Sequence, residues 1–196
     1  MKYIAAVILP FLLISCASEE TPEVLDPQEV FWSNLMEHCN EAFPGGLTHE
    51  PPGDEMLTGT ELLIAHFREC DEDTLKIPFH IEIEDTDEWD RSRTWVFIRH
   101  EDALEIRHDH RNPDGTEDED NTWYGGFTET PGSESYQEFI YHGREDPDGK
   151  RLGWRIEIYP DERYTYGTIR GDEWTWRVDF DLTEEIDAPP APWGHE

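Results

Sequence analysis

Two stretches of the chain alternate between apolar and polar positions without a break. In residues 75–83, Leu75, Ile77, Phe79, Ile81 and Ile83 fall on one face and Lys76, Pro78, His80 and Glu82 on the other. Residues 174–182 do the same, with Trp174, Trp176, Val178, Phe180 and Leu182 opposing Thr175, Arg177, Asp179 and Asp181. Successive side chains of a strand point to opposite faces, so a period of two predicts strands with one buried side. Weaker alternation over 62–69, 94–100, 103–109, 135–142, 153–159 and 163–170 raises the expected number to about eight strands. Pro78 lacks the N–H that a ladder needs, so its strand is expected to lie at an edge or to carry a bulge.

Ahead of these strands the period lengthens. Phe31, Leu35, Cys39, Ala42 and Phe43 recur at helical spacing, with Asp26 as N-cap, Pro27 at the first helical position and Glu29 completing an Asp-x-x-Glu capping box. Gly45-Gly46 is expected to end this helix. Among the connectors, Asn112-Pro113-Asp114-Gly115 and Asp146-Pro147-Asp148-Gly149 are turn sequences in which proline presets φ and glycine supplies a positive φ. Short connections favour sequential antiparallel pairing, and a ribbon closed on itself has no edges. The expected fold is all-β and mainly antiparallel, a lipocalin-like up-and-down barrel of about eight strands with the helix across one end. A two-sheet β-sandwich is the alternative. Residues 186–196, which include Ala188-Pro189-Pro190-Ala191-Pro192-Trp193-Gly194, read as a Pro-rich extended tail whose Trp193 packs on the barrel wall.

Composition narrows the partners. Asp and Glu number 47 against 15 Lys plus Arg among 196 residues, a formal net charge of -32. Affinity for polyphosphate rests on cations displacing condensed counterions, so nucleic acid is excluded as a partner. Only Lys2, Lys76 and Lys150 are lysines, and so lysine-poor and carboxylate-rich a surface reads as salt-adapted. Hydrophobic residues make up 36%, but 8 Trp, 7 Tyr and 9 Phe supply enough bulky apolar area for one packed core.

The N-terminus carries an address. Lys2 begins a short positive segment and residues 3–14 form an apolar stretch of about 12 residues, too short to span a bilayer that needs about 20. Leu13-Ile14-Ser15-Cys16 resembles the lipobox of bacterial lipoprotein signal peptides. That resemblance implies cleavage after residue 15, lipidation of Cys16 and a membrane anchor of several acyl chains. Ala17 and Ser18, with no Asp next to the lipidated cysteine, imply sorting to the outer membrane, facing the periplasm. The expected organisation is residues 1–15 signal peptide, 16–25 acidic tether, and 26–196 one β-rich domain. In an oxidising envelope, the remaining pair Cys39 and Cys70 is expected to form a disulfide.

The sharpest local constellation is His108-Asp109-His110-Arg111. On a strand His108 and His110 point the same way and could present two imidazoles to one metal, with His66, His80, His100 or His142 as candidates for a third ligand. The bland alternative is a pair of histidines bonded to neighbouring carboxylates. Aligning Gly115 with the glycine of a calcium loop places His110 first and Asn121 last, so that match fails. No Gly-x-Ser-x-Gly nucleophile and no phosphate-cradling glycine loop is present, so neither cofactor nor catalytic residue is expected. Arg93, Arg99, Arg107 and Arg177 lie on predicted strands, where an inward guanidinium could grip a carboxylate or phosphate head.

Asp90-Arg91-Ser92-Arg93-Thr94-Trp95, His108-Asp109-His110-Arg111, Tyr124-Gly125-Gly126, Phe180-Asp181-Leu182 and the Trp193-Gly194 ending together resemble a family of small bacterial exported proteins to which no activity is attached. The resemblance runs from about residue 31 to residue 194 and implies one exported domain; it transfers no catalytic residue. The expected function is an envelope lipoprotein, a non-enzymatic binding module for a small amphipathic ligand or an envelope protein. The alternatives are a metal-dependent enzyme using His108 and His110, and a structural envelope protein.

Overall fold

The computed structural model describes residues 25–196; Cys16 and the expected signal peptide and most of the expected tether lie outside them. One helix, α1 (Pro27–Met36), precedes β1 (Ala42–His49), β2 (Leu63–His66), β3 (Glu69–Cys70), β4 (Thr74–Glu82), β5 (Trp89–Arg99) and β6 (Leu104–His110). They are followed by β7 (Tyr124–Thr128), β8 (Tyr136–Ile140), β9 (Leu152–Tyr159), β10 (Arg163–Arg170) and β11 (Glu173–Asp181). All pairings are antiparallel. The meander runs unbroken from β4 to β11; β11 pairs with β1, β1 with β2, and β2 with β4, which closes the ring. The barrel therefore has ten strands, with two-residue β3 added alongside β4. Closure through β2 and β4 removes the free edges that a two-sheet sandwich would leave.

Ten strands rather than about eight is a correction with a definite cause. The two strands without alternation in sequence are those with paired glycines: β1 holds Pro44-Gly45-Gly46 and β7 holds Gly125-Gly126. The run expected over 62–69 is split into β2 and β3. The helix is also shorter than its spacing predicts. It ends at Met36, and Asn40, at φ 72°, turns the chain so that Ala42 and Phe43 enter β1. Asp26 caps it as expected, accepting the Gln28 N–H at 2.8 Å. Glu29, however, leaves the capping box for Arg99 at 3.1 Å.

Both proline-glycine turns form. The Gly115 N–H donates to the Asn112 carbonyl at 2.8 Å and the Gly149 N–H to that of Asp146 at 2.9 Å, with φ +85° and +69°. Pro78 is tolerated because it pairs only with Thr94 of β5; on its other side β4 changes partner from β3 to β2 at that point. The bulge falls two residues on and belongs to the neighbouring strand, where Arg91 and Ser92 of β5 oppose the single residue His80.

The two ends of the barrel differ. At one, α1 lays Phe31, Trp32 and Leu35 across the opening, over a floor containing Phe43, Phe67, Phe97, Phe139 and Tyr164, all buried. Asn34 donates to the Glu134 carbonyl at 2.9 Å and Gln28 to Thr128 at 3.0 Å, fixing the helix to the strand ends. A disulfide joins Cys39, in the turn after α1, to Cys70 of β3. At the opposite end no helix covers the barrel among the described residues, and the connectors 50–62 and 111–123 flank the mouth. The C-terminal tail crosses the outer wall: Arg68 donates to the His195 carbonyl at 2.8 Å, Arg91 donates to that of Ala191 and stacks on Trp193, and His195 meets Asp109 at 2.8 Å. Among the described residues no helix is long and apolar enough to cross a membrane.

Candidate functional site

Inward positions near the open end converge on a cavity of about 380 Å³. Alternation decides who lines it. On β6, His108 and His110 point inward while Asp109 points out; Trp95 on β5, Trp154 on β9, Tyr166 on β10 and Trp176 on β11 complete an aromatic cup, with Tyr124 of β7 at its side. Below, filled layers begin. Trp95 stacks on Phe79 (4.9 Å, 15°) and on Tyr166 (4.1 Å, 20°), and this three-ring stack is the base of the cup. The volume lies within the range of small-molecule sites, which combine apolar walls with a few fixed polar groups.

The histidines are held rather than poised. The His108 Nδ1–H donates to the Tyr124 carbonyl at 3.2 Å, which leaves Nε2 to accept the Tyr166 hydroxyl at 2.6 Å. Its ring stacks on Tyr124 at 4.5 Å and 6°. Burial pushes the His108 pKa from 6.5 down to about 3, and burial also lifts the Tyr166 phenol well above its usual value. A base so weak beside a phenol so reluctant to ionise is a fixed hydrogen bond near neutrality, not a proton relay. His110 accepts from the Asn121 amide at Nδ1 (3.1 Å) and faces the Tyr124 hydroxyl through Nε2 (3.2 Å). Burial first, then the Arg93 charge, lowers its pKa.

The structure thus places His108 and His110 on one inward face, but each ring nitrogen has a protein partner. The candidate third ligands stand elsewhere. His66 and His80 lie on the outward-facing side of β2 and β4, His100 pairs with Glu105 and His142 with Glu129, both at 2.7 Å. Among the described residues no group of three His, Cys, Asp or Glu side chains is placed to hold a metal ion.

Of the four arginines, only Arg93 lines the cup, and its guanidinium donates to Asp90 at 2.6 Å and to Ser92 at 3.0 Å. Arg99 sits at the plugged end, bound by Glu29 and Asp73 (3.1 Å each) over the Trp32 ring. Arg107 and Arg177 point outward, Arg107 to Glu105 and Phe127, Arg177 to Asp179 at 2.9 Å and the Trp174 ring. Asp54, from the connector 50–62, adds a carboxylate to the cup wall beside Met56. A broader groove of about 780 Å³ adjoins the cup and shares Asn121, Tyr124, Trp154 and Thr168 with it.

Sequence reasoning singled out the histidines and Arg93 but not the rings around them. The signal was present in the spacing: in an up-and-down meander the start of one strand and the end of the next lie at the same height. Trp154 near the start of β9 and Trp176 in the first half of β11 both stand in register with Thr168, late in β10, and so share a layer, with Tyr166 two residues deeper. Comparison with family models, curated proteins and solved structures finds no match, so the site stands on its own geometry.

Proposed function

We propose that this chain is an envelope-anchored bacterial lipoprotein whose barrel binds a small amphipathic ligand in the aromatic cup. The observation that carries this reading is the contrast between the two halves of the interior. One half is filled by side chains and plugged by α1, whereas the other leaves about 380 Å³ walled by Trp95, Tyr124, Trp154, Tyr166 and Trp176. A filled interior would suffice for a structural spacer, whereas an open cup walled by aromatic rings has the shape and chemistry of a small-molecule site. The anchor and the outer-membrane address rest on Leu13-Ile14-Ser15-Cys16 and on Ala17-Ser18.

Two measurements test the two halves of the proposal. Native mass spectrometry of the protein extracted from its host membranes should show a retained small molecule, lost on Trp154→Ala; a bare polypeptide that also fails to quench its tryptophan fluorescence with any aromatic amphiphile overturns the binding role. Metabolic labelling with palmitate should mark the wild type and not Cys16→Ser. An unlabelled wild type overturns the anchor.

A further inference from the structure

Arg93 is the cation nearest the cavity, and it is already neutralised by Asp90 at 2.6 Å. Neither His108 nor His110 supplies a positive charge near neutrality, since burial disfavours the protonated form of both. Asp54 is half-buried in the wall, and its one recorded bond is from the Met56 N–H at 2.9 Å; no cation pairs with it among the described residues. In the adjoining groove Arg170 is taken by Asp146 and Asp148, and Arg144 shares the lining with Asp120 and Glu145. The cup is therefore lined by aromatic rings and by one acidic residue without an ion-pair partner, inside a chain of net charge -32.

Given the binding role proposed above, on which this rests, we infer that the ligand of the cup is a weakly hydrated organic cation, a quaternary ammonium or a comparable alkylated or aromatic cation. Ring faces attract such a charge through their quadrupoles, and the attraction grows when water is excluded. A primary ammonium fits less well. It must lose several hydrogen bonds to water, and the cup has few acceptors with which to replace them. An anionic head fits worst, because it meets Asp54 and finds Arg93 occupied. The summed acidic field raises the local concentration of cations at the mouth.

The test uses three probes of nearly one shape on the folded full-length protein, followed by calorimetry: (3-hydroxyphenyl)trimethylammonium, its neutral isostere 3-tert-butylphenol, and 3-hydroxybenzoate. The cation should bind at least tenfold tighter than the neutral isostere, and the benzoate weakest. Asp54→Asn, on an irregular connector outside the strands, should narrow the cation-to-neutral ratio several-fold. If 3-tert-butylphenol or 3-hydroxybenzoate binds as tightly as the cation, the charge preference is wrong while the binding role survives. If none of the three binds to protein whose circular dichroism shows the folded barrel, both fall together.

Discussion

His80 offers a direct handle on how this barrel responds to acid. It points to the outside of β4 yet is fully buried, and neither ring nitrogen has a hydrogen-bond partner. Burial, reinforced by His66, Arg91 and Arg68 and opposed only by Asp90, pushes its pKa from 6.5 to about 3. Because the folded value lies below the unfolded one, protons bind preferentially to the unfolded chain. The neutral imidazole's contribution is thus complete above the unfolded pKa and is lost as pH falls from 6.5 towards 3. At pH 5 the gap from 6.5 is about 1.5 units, which at about 1.4 kcal/mol per unit is about 2 kcal/mol from this one side chain. That is a large part of a typical folding stability of about 5–15 kcal/mol. Urea unfolding followed by tryptophan fluorescence at pH 7.5 and pH 5.0 measures it, in a window above the range where ordinary carboxylates titrate. His80→Leu keeps the bulk, removes the titration and removes two unpartnered nitrogens. It should be about 1 kcal/mol more stable than wild type at pH 7.5, from the relieved desolvation, and about 3 kcal/mol more stable at pH 5.0. Parallel pH profiles for wild type and variant would refute the reasoning.

Three further perturbations have definite outcomes. Gly125→Ala should destabilise the barrel by about 3 kcal/mol or more, read as a fall in urea midpoint, because a Cβ there would stand 1.8 Å from the Ile106 carbonyl oxygen on β6. Replacing both Cys39 and Cys70 by serine should cost about 3–4 kcal/mol, the chain-entropy contribution of closing a loop with a sequence separation of 31; an unchanged midpoint would show that the unfolded chain is already compact there. Raising KCl from about 0.01 M to about 1 M shortens the screening length from about 30 Å to about 3 Å, so a chain of net charge -32 should gain several degrees of thermal midpoint, and a flat response removes the salt-adapted reading.

Where alternation was clean, the fold could be read from the sequence. β4 and β11 match their predicted runs to within one residue, and the two proline-glycine turns fall where Pro and Gly place them. What escaped was encoded in positions without side chains. Gly125 and Gly126 carry no hydrophobic signal, yet the close approach of β6 and β8 to β7 leaves no room for anything larger. Gly45-Gly46 reads as a helix stop by local rules, and only the presence of β11 beside it makes it a strand, with Gly45 opposite Phe180 and Gly46 opposite Asp179. The cup was half legible. His108 and His110 announced themselves by chemistry and spacing, but Trp95, Trp154 and Trp176 read as ordinary core, and the closed barrel is what brings them round one cavity. Arg93 and Arg107 look alike in sequence; opposite parity on adjoining strands sends one into the cavity and the other outward.

The polarity of the plugged barrel has a consequence for traffic through it. The described chain starts at the end closed by α1, where Gln28 and Glu29 are fastened to Thr128 and Arg99, and the entrance lies at the far pole. A molecule fastened to a bilayer by the segment ahead of Leu25 would stand with its sealed base nearer the lipid and its doorway turned to the aqueous compartment. Cargo would then arrive and depart by free diffusion through that compartment, rather than by sliding sideways out of the leaflet.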